Sequence, residues 1–125
     1  MSFKPKGYTS VAPYVIVANA RAHLRFLDQV FRGERLRFIE RDDGSVQHAE
    51  YRIDDTIIMF GEAPVSGDIA AHLHVYCPDP DAVFARALDA GADVVQALSD
   101  QGDGDRRGGF AGPAGAVWWV ARQNA

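Results

Sequence analysis

The chain has 125 residues, 47% of them hydrophobic and 24% charged, with a formal net charge of −4. That composition is ordinary for a globular domain and argues against disorder, and the scattered Lys and Arg leave no basic surface for nucleic acid. No apolar run approaches a bilayer span, the N-terminus has no apolar signal segment, and a lone Cys77 excludes an intrachain disulfide, so a cytoplasmic protein with a core of its own is expected.

Residues 1–11 read as a loose arm, a candidate for contact with a partner. Pro13 to Val17 is a strand, with Val15 and Val17 on one face and Tyr14 and Ile16 on the other. Asn19 offers an N-cap for a helix over 20–32, whose apolar stripe is Ala20, Leu24, Leu27, Val30 and Phe31. Gly33 is its expected stop. Within that helix His23 lies between Arg21 and Arg25, and a solvated surface position is expected. Glu34 to Arg41 is a strand, and Asp42-Asp43-Gly44 a hairpin turn. Val46 to Ile53 alternates, with Ala49, Tyr51 and Ile53 on one face and His48, Glu50 and Arg52 on the other. Asp54-Asp55 turns the chain into a strand over 56–60, and residues 61–70, with Gly61, Pro64, Ser66 and Gly67, form a linker.

The second half opens with a strand over 72–77 and a helix over 79–90, with Val83, Phe84, Ala87 and Leu88 inward and Gly91 as its stop. Cys77, at the end of that strand, reads as a small buried residue rather than a reactive thiol. Val94 to Leu98 is a strand. Ser99 to Gly109, rich in acids and glycine, reads as a long mobile hairpin loop, and its acids argue against a phosphate loop. Gly112-Pro113-Ala114-Gly115 turns into a last strand, Ala116 to Ala121.

The two halves match in register: Val17 then Asn19 in the first corresponds to Cys77 then Asp79 in the second. A repeat of about 60 residues is too long for a solenoid unit. The expected fold is α+β: two βαβββ modules, 12–61 and 72–121, joined by a linker over 62–71 within one domain spanning 1–125. They form a curved mixed sheet around a cavity, with the helices on its outer face.

This arrangement, together with Asn19 and Asp79 after the first strand of each half, His48-Ala-Glu50 in a central strand, and Asp105-Arg106 followed by Gly112-Pro-Ala-Gly115 and Trp118, resembles the vicinal-oxygen-chelate superfamily. That superfamily includes glyoxalase I, extradiol dioxygenases and the fosfomycin- and bleomycin-resistance proteins, and the chain is most similar to its PhnB-like group. The resemblance implies a metal site with a His opening each half's first strand and a Glu in each half's last strand. Those positions here are Ala12, His72, Met59 and Trp119. Alanine and tryptophan offer no ligand atom and a thioether prefers soft metals, so no metal and no cofactor are expected.

Other groups face the same cavity by strand parity. His48, Glu50, His72 and His74 read either as the lining of a wet cavity, hydrogen-bonded to one another, or as a displaced site of two His and one carboxylate. His48 and Glu50 share one face of a strand, about 6.5–7 Å apart along it. Tyr14, Met59, Tyr76 and Trp119 add flat and soft side chains, with Phe60 or Phe110 nearby. Such a surface suits a planar organic molecule. Trp119 reads equally well as core, whereas Trp118 belongs by parity with the helices. Arg106 and Arg107 end the loop, one of them a candidate for the cavity mouth.

These residues lead to a metal-free protein of the bleomycin-resistance type. It would bind or sequester a planar or aromatic compound, an antibiotic among the candidates, in the cavity of a homodimer. Its expected ligand-binding residues are Trp119, Tyr14, Met59, Tyr76, His72, His74, His48 and Glu50, none of them catalytic. The alternative is a glyoxalase- or dioxygenase-like lyase or isomerase using His48, Glu50, His72 and His74.

Overall fold

The computed structural model describes residues 3, 5–64, 71–112 and 116–124. Chain order is β1 (Tyr14–Val17), α1 (Ala20–Val30), β2 (Glu34–Glu40), β3 (Val46–Ile53), β4 (Thr56–Glu62), β5 (Ala71–Tyr76), α2 (Pro80–Asp89), β6 (Asp93–Asp100), β7 (Asp105–Ala111) and β8 (Ala116–Gln123). The strands form two mixed four-stranded sheets, one per module, ordered β1-β4-β3-β2 and β5-β8-β7-β6. In each, the first strand runs parallel to the last and the other pairs are antiparallel.

Both helix starts follow from local chemistry. The Asn19 side chain accepts from the Ala22 N–H at 3.0 Å, and Asp79 accepts from Ala82 at 3.2 Å. Glu62 adds a device that sequence periodicity does not reveal. Its two oxygens accept from Ala20 N at 2.8 Å and Val46 N at 3.1 Å, tying the end of β4 to α1 and to β3. Strand β4 therefore runs to Glu62, into the segment expected as linker. The rest of that linker over 65–70 (Ser66 and Gly67 included) and Pro113-Ala114-Gly115 lie outside the described residues.

The two helix ends differ in kind. Gly91 has φ +94, the left-handed stop expected of it. After α1 it is Arg32 that turns left-handed, at φ 54, and Gly33 serves close packing instead. A Cβ on Gly33 would run into the Arg52 carbonyl and stand 2.8 Å from the Tyr51 ring, whose hydroxyl accepts from Gly33 N at 2.7 Å.

The helices close one core over both sheets. Leu24, Leu27, Val30, Tyr51, Phe60, Phe110 and Trp118 belong to a single buried cluster. Helix α1 reaches across the modules: Phe31 lies 5.0 Å from the Trp118 ring and Phe26 6.1 Å from Phe110. From α2, Arg86 Nε donates to the Val30 carbonyl at 3.0 Å. Trp118 is wholly buried on the helix side, as its parity requires.

Several expectations need correction. His23 is fully buried, its ring 4.6 Å from Phe60 and 6.1 Å from Trp118, because α1 turns that position toward both sheets. Phe60 and Phe110 are fully buried core residues and do not line the open side. Leu88, expected inward, is 41% exposed, since α2 buries the face of Pro80, Val83 and Ala87. The long loop after Leu98 is instead a tight hairpin: β6 and β7 pair from Asp100↔Arg106 inward, leaving only 101–104 outside the strands. Gly102 and Gly104, both left-handed, make that turn possible.

Candidate functional site on the open sheet faces

The faces turned away from the helices carry all eight candidate residues. Register sets them in two equivalent rows. Tyr14 and Glu50 both pair with Met59 across β1, β4 and β3, and His74 and Gly109 both pair with Trp119 across β5, β8 and β7. Met59 and Trp119 are thus structural equivalents, as are Tyr14 and His74, and Glu50 stands where the second module has a glycine.

On the first face the centre is a hydrogen-bonded chain. Glu50 is only 4% exposed; His48 Nε2 meets its Oε2 at 2.7 Å, and the Tyr8 hydroxyl donates to Oε1 at 2.5 Å. Burial pushes the Glu50 carboxyl up, but the Tyr8 and His48 hydrogen bonds outweigh it, so the carboxyl lies below its ordinary value. Glu50 is therefore a carboxylate, and His48 Nε2 carries the proton between them. Tyr8 is held neutral: its hydrogen bond to Glu50, helped by burial and the negative charge, raises its hydroxyl above the usual tyrosine value. The Tyr14 ring lies 6.1 Å from His48, completing the group.

Tyr8 is the member of this candidate site that sequence reading missed. The arm carrying it returns over its own sheet: Tyr8 N donates to Pro5 O at 3.2 Å, and Arg52 reaches the Gly7 carbonyl at 3.5 Å. The sequence offers one indirect hint: an acid such as Glu50 in the middle of a strand needs a donor beyond its strand neighbour His48 if it is to be buried.

On the second face Trp119 lies against Gly109, where an added Cβ would stand 2.6 Å from its ring. The indole Nε1–H donates to His72 Nδ1 at 3.1 Å, and the two rings stack within 15° of parallel. His74 and Tyr76 pack at 4.8 Å. The Tyr76 hydroxyl donates to Asp105 Oδ2 at 3.0 Å, and that bond raises its own value. Arg107 bonds the same oxygen at 3.2 Å and also reaches Asp103. Arg107 is thus the arginine that turns to the open face, whereas Arg106 is clamped by both Asp81 oxygens, at 2.8 and 3.0 Å.

Among the described residues, no hydrogen bond or ring contact joins the two faces, and His48 with Glu50 stands apart from His72 and His74. No three His, Cys, Asp or Glu side chains among them form a group able to hold a metal ion. The residues at the superfamily's ligand positions do not fit a divalent ion either. Met59 sits between Tyr14 and Glu50, and the lone imidazole, His72, receives the Trp119 N–H.

Both open faces expose apolar surface, with Tyr14 53%, Ile16 47% and Tyr76 63% accessible. Elsewhere Cys77 is half-buried; burial pushes its thiol up and disfavours the reactive thiolate. No described helix is long and apolar enough to cross a membrane.

No protein-family model matches the chain. The uncharacterized protein Mb0911c of Mycobacterium bovis is 34% identical over 121 residues, covering 87% of this chain and 80% of its own length. The crystal structure of TioX from Micromonospora sp. ML1 superposes with a TM-score of 0.72 at 24% identity, over 91% of this chain and 99% of that one. A glyoxalase/bleomycin resistance protein/dioxygenase family enzyme from Burkholderia phytofirmans PsJN gives a TM-score of 0.70 at 16% identity, over 88% and 94% of the two chains.

Proposed function

The chain belongs to one family with the mycobacterial protein Mb0911c and has the fold of TioX and of the Burkholderia phytofirmans enzyme, and from that premise we propose that it is a vicinal-oxygen-chelate superfamily member acting as a metal-free small-molecule-binding protein. The ligand is a planar or aromatic organic compound, an antibiotic among the candidates, held and sequestered rather than transformed. One observation carries this reading: the ligand position at Trp119 holds a half-buried indole, laid on Gly109 and fixed by His72, with a flat face for stacking. Tyr14, Met59, Tyr76, His74, His48 and Glu50 supply the surrounding aromatic, thioether and polar contacts.

The cavity is completed in a homodimer. The exposure of Tyr14, Ile16 and Tyr76 supports this, because apolar rings on an open sheet face are normally covered. One protomer's first face against its partner's second face would bring Trp119 opposite the Tyr8–Glu50–His48 chain. The single, half-buried cysteine fits a cytoplasmic location. The proposed domain runs over 1–125 with modules 12–61 and 72–121.

A second reading rests on the Tyr8–Glu50–His48 chain itself. A protonated His48 Nε2 fixed by a carboxylate leaves Nδ1 as a base, an arrangement able to move a proton in an isomerase or lyase. The two readings separate in one experiment. Protein treated with a chelator is incubated with planar aromatic compounds from indole to acridine, and both tryptophan fluorescence and compound identity are followed. Saturable quenching with the compound recovered unchanged supports binding; a changed compound, and loss of that turnover in His48→Ala, supports the enzyme.

A further inference from the structure

The N-terminal arm lays one aromatic ring on the first open face. From Pro5 to Val11 every residue is exposed except Tyr8, which is half-buried. Its hydroxyl donates to Glu50 Oε1 at 2.5 Å, and the Arg52 guanidinium reaches the Gly7 carbonyl only at 3.5 Å. Two more of the arm's hydrogen bonds, Tyr8 N to Pro5 O and Thr9 Oγ1 to Val11 O, stay within the arm. Tyr8 is thus the side chain of this stretch that the sheet takes in.

The receiving group has a defined chemistry. Glu50 is 4% exposed and needs strong donors; His48 Nε2 supplies one at 2.7 Å and Tyr8 a second. Arg37 and Arg52 stand near the Tyr8 hydroxyl, but the carboxylate outweighs both and keeps the phenol neutral and donating. In the second module the equivalent of Glu50 is Gly109, which Trp119 covers from the neighbouring strand. Each module therefore has an aromatic ring over this position. In the first that ring arrives from outside the sheet, on a strap that is otherwise exposed. A tethered ring competes much as a free phenol at roughly millimolar concentration does.

We propose that Tyr8 stands in for the ligand: the first open face binds a neutral phenol whose hydroxyl donates to Glu50 Oε1 in place of Tyr8, lifting the arm. This rests on the reading of the open faces as a small-molecule site, and it narrows the planar ligand to one with a hydroxyl on its ring. A ligand broader than the tyrosine ring spreads onto Tyr14, 53% exposed, and Met59, which pairs with Glu50. Those added contacts displace the arm. A phenolate is excluded, because it offers Glu50 no proton and repels it.

The test titrates p-cresol, the free equivalent of the tyrosine side chain, into ¹⁵N-labelled native protein, Tyr8→Phe and Tyr8→Ala, following the His48, Glu50 and Met59 amides. Affinity rises in that order. It gains about tenfold from native to Tyr8→Phe, where the arm loses its hydrogen bond, and more in Tyr8→Ala, where the ring is gone. 4-Methylanisole, whose oxygen carries no proton, binds both variants about tenfold more weakly than p-cresol does. Saturating p-cresol moves the Gly7 amide of the native protein to its unfolded-chain position. Tyr8→Phe keeps the arm's ring, so the order is readable there even if Tyr8→Ala unfolds. The proposal is overturned if the folded proteins bind p-cresol equally, if 4-methylanisole binds as well as p-cresol, or if Gly7 stays in place. Acridine quenching of Trp119 in the same proteins separates the two claims. Quenching without a Tyr8-dependent p-cresol response ends the phenol site and leaves the open-face binder standing; loss of both ends both.

Discussion

Trp118 and Trp119 are adjacent in sequence and opposite in role, and replacing each with alanine separates the two. Trp118 is wholly buried against Leu73, Phe31 and His23. Trp118→Ala removes that packing and leaves a cavity, at about 3–5 kcal/mol. For a chain of this length a loss of 1 kcal/mol lowers Tm by about 4 °C, so the melting point falls by roughly 12–20 °C. Trp119 is half-exposed, rests on a glycine and makes one side-chain hydrogen bond, to His72. Trp119→Ala gives up that bond and one ring contact, about 1–2 kcal/mol or roughly 4–8 °C. Urea unfolding and thermal melts of the two variants measure both values. Equal destabilisation would mean that Trp119 is core like its neighbour, and the aromatic open face would lose its anchor.

Other consequences follow from the same contacts. Glu50→Gln costs about 1–3 kcal/mol at neutral pH, because an amide cannot accept from both Tyr8 and His48 as a carboxylate does. The Glu50 carboxyl is depressed in the folded state, so its contribution is present above the ordinary value of 4.5 and is lost as pH falls through the folded one. Urea midpoints measured from pH 7 to pH 3 should therefore fall less in Glu50→Gln than in the native chain. Tyr8→Phe costs about 1–2 kcal/mol by the same assay. Because the Tyr8 hydroxyl is raised, its contribution is present below pH 10 and is lost as pH climbs through the folded value. Ultraviolet titration should show Tyr51, pushed up to about 12 mainly by burial, ionising well after a free tyrosine. Gly109→Ala should tilt the indole of Trp119 off its strand, shifting its emission while leaving the fold intact; unchanged emission would refute that contact.

Much of this architecture was legible because strand parity and duplication are strong signals. Tyr14 and Ile16 face outward and Val15 and Val17 inward, as alternation demands, and Trp118 is buried as its neighbour is not. What stayed hidden depends on contacts distant in sequence. His23 looks like a surface residue between two arginines, and only the crossing of α1 onto the second sheet buries it. Gly33 looks like a helix stop, yet the Arg52 carbonyl and the Tyr51 ring, brought alongside by β3, are what require it. The Ser99–Gly109 stretch reads as loop because its acids and glycines are poor strand formers; pairing with β8 and the Arg107 ion pairs overrides that preference. In the candidate site, the outward rows follow from the period of two, but the Tyr8 contact spans 42 positions and has no local signature.

The central claim is a metal-free aromatic site on Trp119, and isothermal titration of chelator-treated protein with acridine tests it most directly. Saturable binding without added metal is expected, weakened by about 1–3 kcal/mol in Trp119→Ala, with no gain on adding Zn²⁺ or Mn²⁺. Binding that appears only with a divalent ion, or that Trp119→Ala leaves unchanged, would contradict it.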